Sequence, residues 1–355
     1  MELARFLLYP FALIYGLGVF IRNKFFDWGI VRSVSYPIPL ISVGNLAVGG
    51  SGKTPLVEYI IRMLRGKKKT ATLSRGYKRK TSGFVLASAD ATAEKIGDEP
   101  LQYAGKFEDL AVAVDENRRH GIELLMKQVP GLEAVILDDA FQHRYVQPAL
   151  SIIVTDYHRI YSSDRLLPVG RLREPVKGSR RADIIVVSKT PKIFSPIVRR
   201  QILHDLKPAI HQLVCFSYLS YDEWLPVYLQ QSPLTAENRK VNTILMVTGI
   251  AFPAPMEEYL MPFCSDLVKL EFGDHHEFTL KDILLIRNTF LSLPTRRKLI
   301  VTTEKDCMRL RSVLAEPVLN ELPVYYLPIR VNFHKEDREA FEEAIRSVVN
   351  PKKPG

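Results

Sequence analysis

The sequence predicts an α/β protein with a large parallel-sheet domain, a second and smaller α/β domain, and an apolar N-terminal helix. The chain has 355 residues, enough for two such domains, and 46% of them are hydrophobic, as in a protein with a buried core. After Ile38, short β-branched runs alternate with helical or loop segments, which is the pattern of a parallel sheet covered by helices.

Two series of predicted strands are separated by a polar stretch around residues 230–240. The strands of the first series are 40–43, 70–73, 110–114, 134–137, 150–154 and 183–187. The strands of the second series are 243–249, 267–272, 298–303 and 324–329. The predicted divisions are an N-terminal helical region at 1–32, a first domain at 33–220, a linker at 221–241, a second domain at 242–350 and a disordered tail at 351–355.

The N-terminal segment is unusually apolar. Residues 6–21 read FLLYPFALIYGLGVFI and are flanked by the cations Arg5, Arg22 and Lys24. These 16 residues are fewer than the roughly 20 that cross a bilayer, and no exported-signal pattern follows them. We predict a helix in the membrane interface, with its flanking cations at the anionic head groups of the inner leaflet, and an ordinary buried helix is the alternative.

The formal net charge of +10 favours a polyanionic partner, such as nucleic acid, anionic lipid or a phosphorylated substrate. No recognised nucleic-acid-binding module is present, so nucleic acid is not expected as a partner. The three cysteines are scattered along the chain, which fits a reducing compartment and supports neither a disulfide framework nor a zinc site.

The stretch ISVGNLAVGGSGKTP, residues 41–55, leads from a strand into a glycine-rich loop. Glycines allow backbone N–H groups to surround an anion, and the helix that follows directs its positive end to the same place. Lys53 is expected at the outer phosphates of a nucleotide and Thr54 at Mg²⁺, although Ala47 replaces the first glycine of the strict P-loop pattern. The residues expected to hold phosphate are Gly49, Gly50, Ser51, Gly52, Lys53 and Thr54.

The segment AVILDDAFQHR, residues 134–144, carries two acidic residues at the end of a predicted strand. Asp138 and Asp139 would repel each other without a cation, so they predict Mg²⁺ or a basic neighbour, whereas a helix cap or turn is the alternative. Neither SKTP at 188–191 nor EKD at 304–306 has the spacing of a guanine-reading motif. Adenine is therefore the expected base and ATP the expected nucleotide.

Two further groups of residues suggest proton transfer and anion binding. Asp98 lies in GDEP at a predicted helix start, and His275 lies in a GDHH loop of the second domain. An aspartate paired with a histidine can remove the proton from an attacking hydroxyl, while helix capping and a structural loop histidine are the alternatives. Arg75 follows a strand directly, where parallel sheets open onto their ligand site, so it is a candidate ligand for phosphate.

Nine segments, in order along the chain, resemble the tetraacyldisaccharide 4'-kinases of lipid A biosynthesis. They are ISVGNLAVGGSGKTP, LSRGY, GDEP, DENRRHG, ILDDAFQHR, LLPVGRLREP, VTGIAFP, GDHHEF and VTTEKD. The resemblance implies transfer of the γ-phosphoryl group of ATP to the 4'-hydroxyl of a tetraacylated, 1-phosphorylated glucosamine disaccharide. The implied partners are this phosphoglycolipid and the inner-membrane surface, and a monomer is expected.

The resemblance also implies roles for individual residues. It assigns catalysis to Asp98, His275, Lys53, Asp138 and Asp139. It assigns Mg²⁺ to Thr54, Asp138 and Asp139. It assigns cofactor contacts outside the loop to Arg173 and Glu174. It assigns the substrate to Arg75, Arg118, Gln142 and His143.

Two other functions remain open from the residues alone. A P-loop ATPase could use hydrolysis to drive a conformational switch at the membrane, and a membrane-surface binding protein could carry a vestigial loop. A switch ATPase is expected to hydrolyse ATP without an acceptor, whereas a kinase excludes water until it closes.

Overall fold

The computed structural model describes residues 7–228, 234, 239–274, 276–313 and 318–350, which form two compact units. The first unit extends to Leu219 and resumes at Val331, and the second comprises Ser220–Arg330. Each unit is built around one sheet of mainly parallel strands. The predicted α/β fold class is therefore confirmed.

The larger sheet contains nine strands in the order β14-β8-β7-β6-β1-β5-β2-β4-β3. Strands β8 to β4 of this order run parallel, and β3 pairs with β4 antiparallel. These strands are β1 (Leu40–Gly44), β2 (Thr70–Ser74), β3 (Val85–Leu86), β4 (Ala111–Val114), β5 (Ala134–Asp138), β6 (Leu150–Asp156), β7 (Ile184–Ser188), β8 (Leu213–Tyr221) and β14 (Ile329–Phe333). The helices of this unit are α1 (Tyr9–Asp27), α2 (Lys53–Leu64), α3 (Ala93–Ile96), α4 (Asp98–Lys106), α5 (Arg118–Gln128), α6 (Pro196–Leu206) and α10 (Lys335–Val349).

The central strands of this sheet, such as β1, β2, β5 and β7, are buried on both faces, because alternate residues contribute to different cores. Ile41 and Val43 of β1 pack in a cluster with residues of α2, α4 and α10, whereas Leu40 packs in a cluster with residues of α5. Such burial explains why the strands read as continuous apolar runs rather than as alternating ones. The apolar runs were for this reason the strongest strand signal in the sequence.

The described strands of the second unit are β9 (Leu225–Pro226), β10 (Val241–Thr248), β11 (Cys264–Glu271), β12 (Lys298–Thr303) and β13 (Val324–Leu327). They form one sheet in the order β11-β10-β12-β13-β9, and among the described residues only the β9–β13 pair is antiparallel. Its helices are α7 (Ala254–Leu260), α8 (Leu280–Ser292) and α9 (Glu304–Val313). Alternate residues of β10 again enter two cores, one with α8 and α9 and one with α7.

The C-terminal segment belongs to the first unit, whereas the sequence pattern places it in the second domain. The apolar run VYYLPI divides at Pro328 into the whole of β13 and the first residue of β14, and β14 lies beside β8 in the larger sheet. Phe341 and Ile345 of α10 are buried in the core that contains α2. The amphipathic pattern of α10 predicts a buried face but does not show which sheet that face covers.

Helix α1 is apolar and largely exposed. Phe11, Leu13 and Leu17 are 59–73% exposed, and further apolar side chains of the helix are also exposed. Among the described residues, no helix combines the length and apolar character needed to cross a membrane. Several exposed apolar side chains on one helix are typical of an interaction surface.

Truncating Phe341 tests the position of α10. Phe341 is fully buried, and its ring stacks on that of Phe333 with centroids 4.4 Å apart. We expect Phe341→Ala to lower the free energy of unfolding of the first unit by about 3 to 5 kcal/mol, because it leaves a cavity in the core. Urea unfolding followed by circular dichroism measures this, with Glu343→Ala on the exposed face as control. Equal stability of the two variants would contradict the packing.

Candidate active site

The predicted site residues gather at one edge of the larger sheet. Because β1, β2, β4 and β5 run parallel, their carboxyl ends lie at the same edge. The glycine-rich loop follows β1, Asp138 ends β5, and Arg75 follows β2. Ligands of parallel α/β proteins bind at this edge.

The glycine-rich loop joins β1 to α2, which begins at Lys53. Gly49 has a φ of 113° and Gly52 a φ of 86°, conformations that residues with a side chain rarely adopt. Ala47 pairs with Leu172 in an antiparallel β-bridge, which an alanine accommodates. The glycine missing from the strict P-loop pattern is therefore at a position where the structure does not require one.

Asp139 connects two cations of the site. Its Oδ1 lies 3.4 Å from Lys53 Nζ, and its Oδ2 accepts a hydrogen bond from Arg173 Nη1 at 2.9 Å. Burial acts to raise the pKa of Asp139, but the charges of Lys53 and Arg173 outweigh it and hold the pKa below its usual value. The ionised carboxylate thus orients both cations toward the start of α2.

Asp138 has a different environment, although it is the adjacent residue. It is 1% exposed, and its Oδ2 accepts a hydrogen bond from the Tyr103 hydroxyl at 2.9 Å. Its buried Oδ1 has no hydrogen-bond partner among the described residues. Burial and the charge of Glu99 raise the pKa of Asp138 to about 7, with Lys53 acting in the opposite direction. A cation beside this carboxylate would favour its ionised form.

The GDEP segment places carboxylates beside the glycine-rich loop. The Thr54 hydroxyl donates to Glu99 Oε1 at 2.9 Å, and Asp98 is exposed as the first residue of α4. Gly97 has a φ of 91°, and a Cβ there would lie 2.9 Å from the carbonyl oxygen of Tyr77. The close approach of these backbones positions the start of α4 against the loop that carries Arg75.

Arg118 and Arg75 differ in their exposure to solvent. Arg118 is 2% exposed and donates to the carbonyl oxygens of Asp115 at 2.5 Å and of Asp138 at 3.4 Å. Burial lowers the pKa of Arg118 to about 10, so the side chain stays cationic at neutral pH. Arg75 is exposed and close enough for its charge to act on Arg118. Arg118 therefore binds the backbone carbonyls at the ends of two segments, whereas the charge of Arg75 is exposed to solvent.

Gln142 and Glu174 form a hydrogen-bonded network. Gln142 Nε2 donates to the carbonyl oxygen of Asn45 at 2.7 Å and to Glu174 Oε1 at 3.2 Å. Glu174 is 2% exposed, and Arg181 Nη2 donates to both its carboxylate oxygens, at 3.0 and 2.8 Å. Asn23 of α1 donates to Glu174 Oε2 at 3.4 Å. The network ties the end of β1 to the segments that carry Gln142 and Glu174.

Helix α1 also contacts the backbone of two site segments. The Tyr15 hydroxyl donates to the carbonyl oxygen of Arg173 at 2.7 Å. Arg22 Nη2 donates to the carbonyl oxygen of Gln142 at 2.6 Å. Helix α1, which carries the exposed apolar side chains, is therefore hydrogen-bonded to segments of the candidate site.

The predicted site residues of the first unit lie together at this sheet edge. They are Gly49, Gly50, Ser51, Gly52, Lys53, Thr54, Arg75, Asp98, Arg118, Asp138, Asp139, Gln142, His143, Arg173 and Glu174. His275 lies outside the described residues. Glu99 and Tyr103 also belong to the site, although no role was predicted for them from the sequence. A usable signal was present, since Glu99 follows Asp98 directly and Tyr103 lies four residues after Glu99 on the same face of α4.

The fold and the glycine-rich loop define the chain as an α/β protein of the P-loop type. A family model described as Tetraacyldisaccharide-1-P 4'-kinase matches residues 4–350. The tetraacyldisaccharide 4'-kinase of Phocaeicola vulgatus is 46% identical, over 96% of this chain and 94% of that protein. The enzyme of the same name from Bacteroides thetaiotaomicron is 47% identical, over 95% and 91%.

A solved structure shows the same fold. The crystal structure of LpxK from Aquifex aeolicus in complex with ATP has 27% sequence identity and a TM-score of 0.74 with this chain, covering 98% of it and 99% of that protein. The chain belongs to the tetraacyldisaccharide 4'-kinase family, a family of lipid kinases. The resemblance recognised from the motifs is confirmed.

His143 gives a pH-dependent test of the site. Burial and the charge of Arg118 lower its pKa from 6.5 to about 4, so it is neutral at pH 7. Between these values the unfolded chain binds a proton that folded His143 does not, and folding stability falls as the pH decreases. We expect His143→Asn to reduce the loss of Tm between pH 6.5 and 4.

Scanning calorimetry across this pH range measures the difference. His204, 76% exposed on α6, is the matched control, and His204→Asn should retain the wild-type slope. A wild-type slope in His143→Asn would show that His143 ionises normally in the folded protein.

Proposed function

We propose that the chain transfers the γ-phosphoryl group of ATP to the 4'-hydroxyl of a tetraacylated, 1-phosphorylated glucosamine disaccharide, with Mg²⁺ as cofactor. Membership of the kinase family and likeness to an ATP-bound structure support this proposal. The observation that carries it is the position of Lys53, which is held by Asp139 at the end of the glycine-rich loop.

In this proposal the loop N–H groups and the positive end of α2 bind the phosphates. Lys53 and Arg173 place two positive charges beside them, where charge develops during phosphoryl transfer. Asp139 acts by orienting both cations and not by binding the metal. The adjacent aspartates thus have separate tasks, which their different pKa directions support.

The donor set around Thr54 fits Mg²⁺. Asp138 offers a buried oxygen without a hydrogen-bond partner in the described part of the chain, and Glu99 already accepts the Thr54 hydroxyl. No three acidic, histidine or cysteine side chains among the described residues form a metal site by themselves. Mg²⁺ in kinase sites is held by one or two carboxylates with nucleotide phosphates and water, and it neutralises the phosphate charge there. Asp138 and Thr54 are the proposed ligands.

Asp98 is the proposed general base, with His275 as its partner. Asp98 is exposed at the first turn of α4, one residue from the Glu99 carboxylate that contacts Thr54. An exposed carboxylate near the phosphate end of the site is accessible to an acceptor hydroxyl. His275 enters this proposal from the motif alone.

Arg75 is the proposed contact to the anionic part of the lipid substrate. It is the exposed member of the Arg75–Arg118 pair, while Arg118 is occupied by two backbone carbonyls. His143 and Gln142 are proposed to act as neutral hydrogen-bonding groups, because the low pKa of His143 removes its charge at neutral pH.

We further propose that α1 lies in the cytoplasmic interface of the inner membrane. Its exposed apolar side chains fit acyl chains, and Lys24, near its end, fits anionic head groups. The contacts of Tyr15 and Arg22 with the site segments would bring the active site to the membrane surface, where the acyl chains of the substrate remain.

The loss of Lys53 tests the kinase. We expect Lys53→Ala to lower transfer of labelled γ-phosphate from ATP to a Gram-negative lipid extract by on the order of a hundredfold or more. Lys80→Ala, which removes an exposed lysine that pairs with Glu94, should retain the wild-type rate. The labelled lipid is identified by mass spectrometry.

The same assay separates the alternatives. Rapid ATP hydrolysis without lipid, and no labelled lipid, would replace the kinase by a switch ATPase. Asp98→Asn should lower kcat with little change of the KM for ATP, because its interaction exists only during proton transfer. An unchanged kcat in Asp98→Asn would remove it as the base.

Changing the exposed face of α1 tests membrane binding without disturbing Tyr15 or Arg22. We expect the triple variant Phe11→Gln, Leu17→Gln, Phe20→Gln to raise the KM for lipid in vesicles at least about tenfold and to leave the KM for ATP unchanged. The matched control is the triple variant Ile193→Gln, Ile197→Gln, Ile210→Gln, which replaces three exposed apolar residues outside α1. If both triple variants float with liposomes like the wild type, α1 is a structural helix only.

A further inference from the structure

Two consecutive residues at the end of β7 hold the backbone of the glycine-rich loop. The Ser188 hydroxyl donates to the carbonyl oxygen of Ser51 at 2.6 Å. Lys189 Nζ donates to the carbonyl oxygen of Gly50 at 2.6 Å and pairs with Asp156 Oδ2 at 2.6 Å. Because SKTP at 188–191 lacks the spacing of a guanine-reading motif, the sequence predicts no role for either residue.

These contacts determine the direction of loop N–H groups. A peptide unit is planar, and its C=O and N–H point in opposite directions. Fixing the carbonyl of Ser51 therefore fixes the N–H of Gly52, and fixing the carbonyl of Gly50 fixes the N–H of Ser51. In this structure the Ser51 N–H donates to the carbonyl of Gly49 at 3.0 Å. Loops that bind phosphate use converging backbone N–H groups, so the orientation of each peptide unit matters.

The segment that carries the two side chains is itself firmly held. Lys189 has a φ of 60°, which a lysine adopts only where its surroundings enforce it. The Thr190 hydroxyl donates to the carbonyl oxygen of Ser217 at 3.0 Å, which fixes the segment to β8. A Cβ on Gly52 would lie 3.2 Å from Ser188 Oγ, so the loop and the end of β7 are in close contact.

The partners of Lys189 also define how it acts. Its ammonium group lies between a carbonyl oxygen and the Asp156 carboxylate, and the Lys189 and Asp156 side chains are 31% and 22% exposed. A cation neutralised by a partly buried carboxylate contributes little attraction to a nucleotide phosphate. Lys53 is thus the lysine suited to touch phosphate, and Lys189 is suited to shape the loop.

We propose that Ser188 and Lys189 are positioning residues that keep the glycine-rich loop in the backbone conformation that binds nucleotide phosphate. This inference rests on the proposed function, in which the loop binds ATP. The two residues act through the carbonyls of Ser51 and Gly50 and do not contact the nucleotide. Their effect is on ATP affinity, and proton transfer and lipid binding remain unaffected.

The test is direct binding of Mg-ATP by calorimetry, together with kinetics. We expect Lys189→Met, which keeps the side-chain length but removes the donor, to raise the Kd for Mg-ATP about tenfold to a hundredfold. The KM for ATP should rise in parallel, while kcat at saturating ATP and the KM for lipid stay near wild type. Lys189→Arg retains a charged donor and should restore most of the affinity.

Lys192→Met is the matched control, because Lys192 is exposed three residues further along the same segment. Ser188→Ala should raise the Kd for Mg-ATP by a smaller factor. This variant tests the proposal on its own if Lys189→Met does not fold. Wild-type affinity for Mg-ATP in both Ser188→Ala and Lys189→Met, even if Lys189→Met has a lowered Tm, would overturn the proposal. If Lys189→Met does not fold, wild-type affinity in Ser188→Ala overturns it. Failure of the wild-type protein itself to bind Mg-ATP would instead contradict the proposed function.

Discussion

The candidate site depends on one interaction, the pairing of the Asp139 carboxylate with Lys53 and Arg173. Asp139 follows β5 directly and pairs with Lys53 at the end of the glycine-rich loop and with Arg173 from the segment before the basic run 176–181. Because the two cations hold the pKa of Asp139 low, these contacts persist at neutral pH. Three segments that are distant in sequence are thereby joined at one point of the sheet edge.

Asp138 shows how strongly position determines the chemistry of a side chain. One residue away from the ionised Asp139, it lies in the sheet, hydrogen-bonded to Tyr103 and next to Glu99, with its pKa raised to about 7. A carboxylate that is costly to ionise alone becomes favourable beside a divalent cation. The two adjacent aspartates therefore suit different proposed roles, Asp139 as the partner of two protein cations and Asp138 as a ligand of the metal.

Helix α1 combines two properties that are usually separate. Its outer surface is apolar and exposed, and its Tyr15 and Arg22 side chains bond to the backbone of the site segments that carry Arg173 and Gln142. Removal of the whole helix would therefore disturb the site as well as the proposed membrane contact. Only substitutions on its exposed face separate the two effects, since they leave the hydrogen bonds to the site intact.

The sequence by itself determined the α/β class, the main strands, the glycine-rich loop and the family, because these depend on local patterns and short motifs. Periodicity, glycine positions and adjacent acids are visible without knowing what lies opposite them in the fold. Only the tertiary structure decided that Glu99, Tyr103 and the end of β7 contact the site, that Asp138 and Asp139 differ, and that α10 belongs to the first unit. Those features are set by parallel strands that bring distant carboxyl ends together and by burial, which no local pattern of residues specifies.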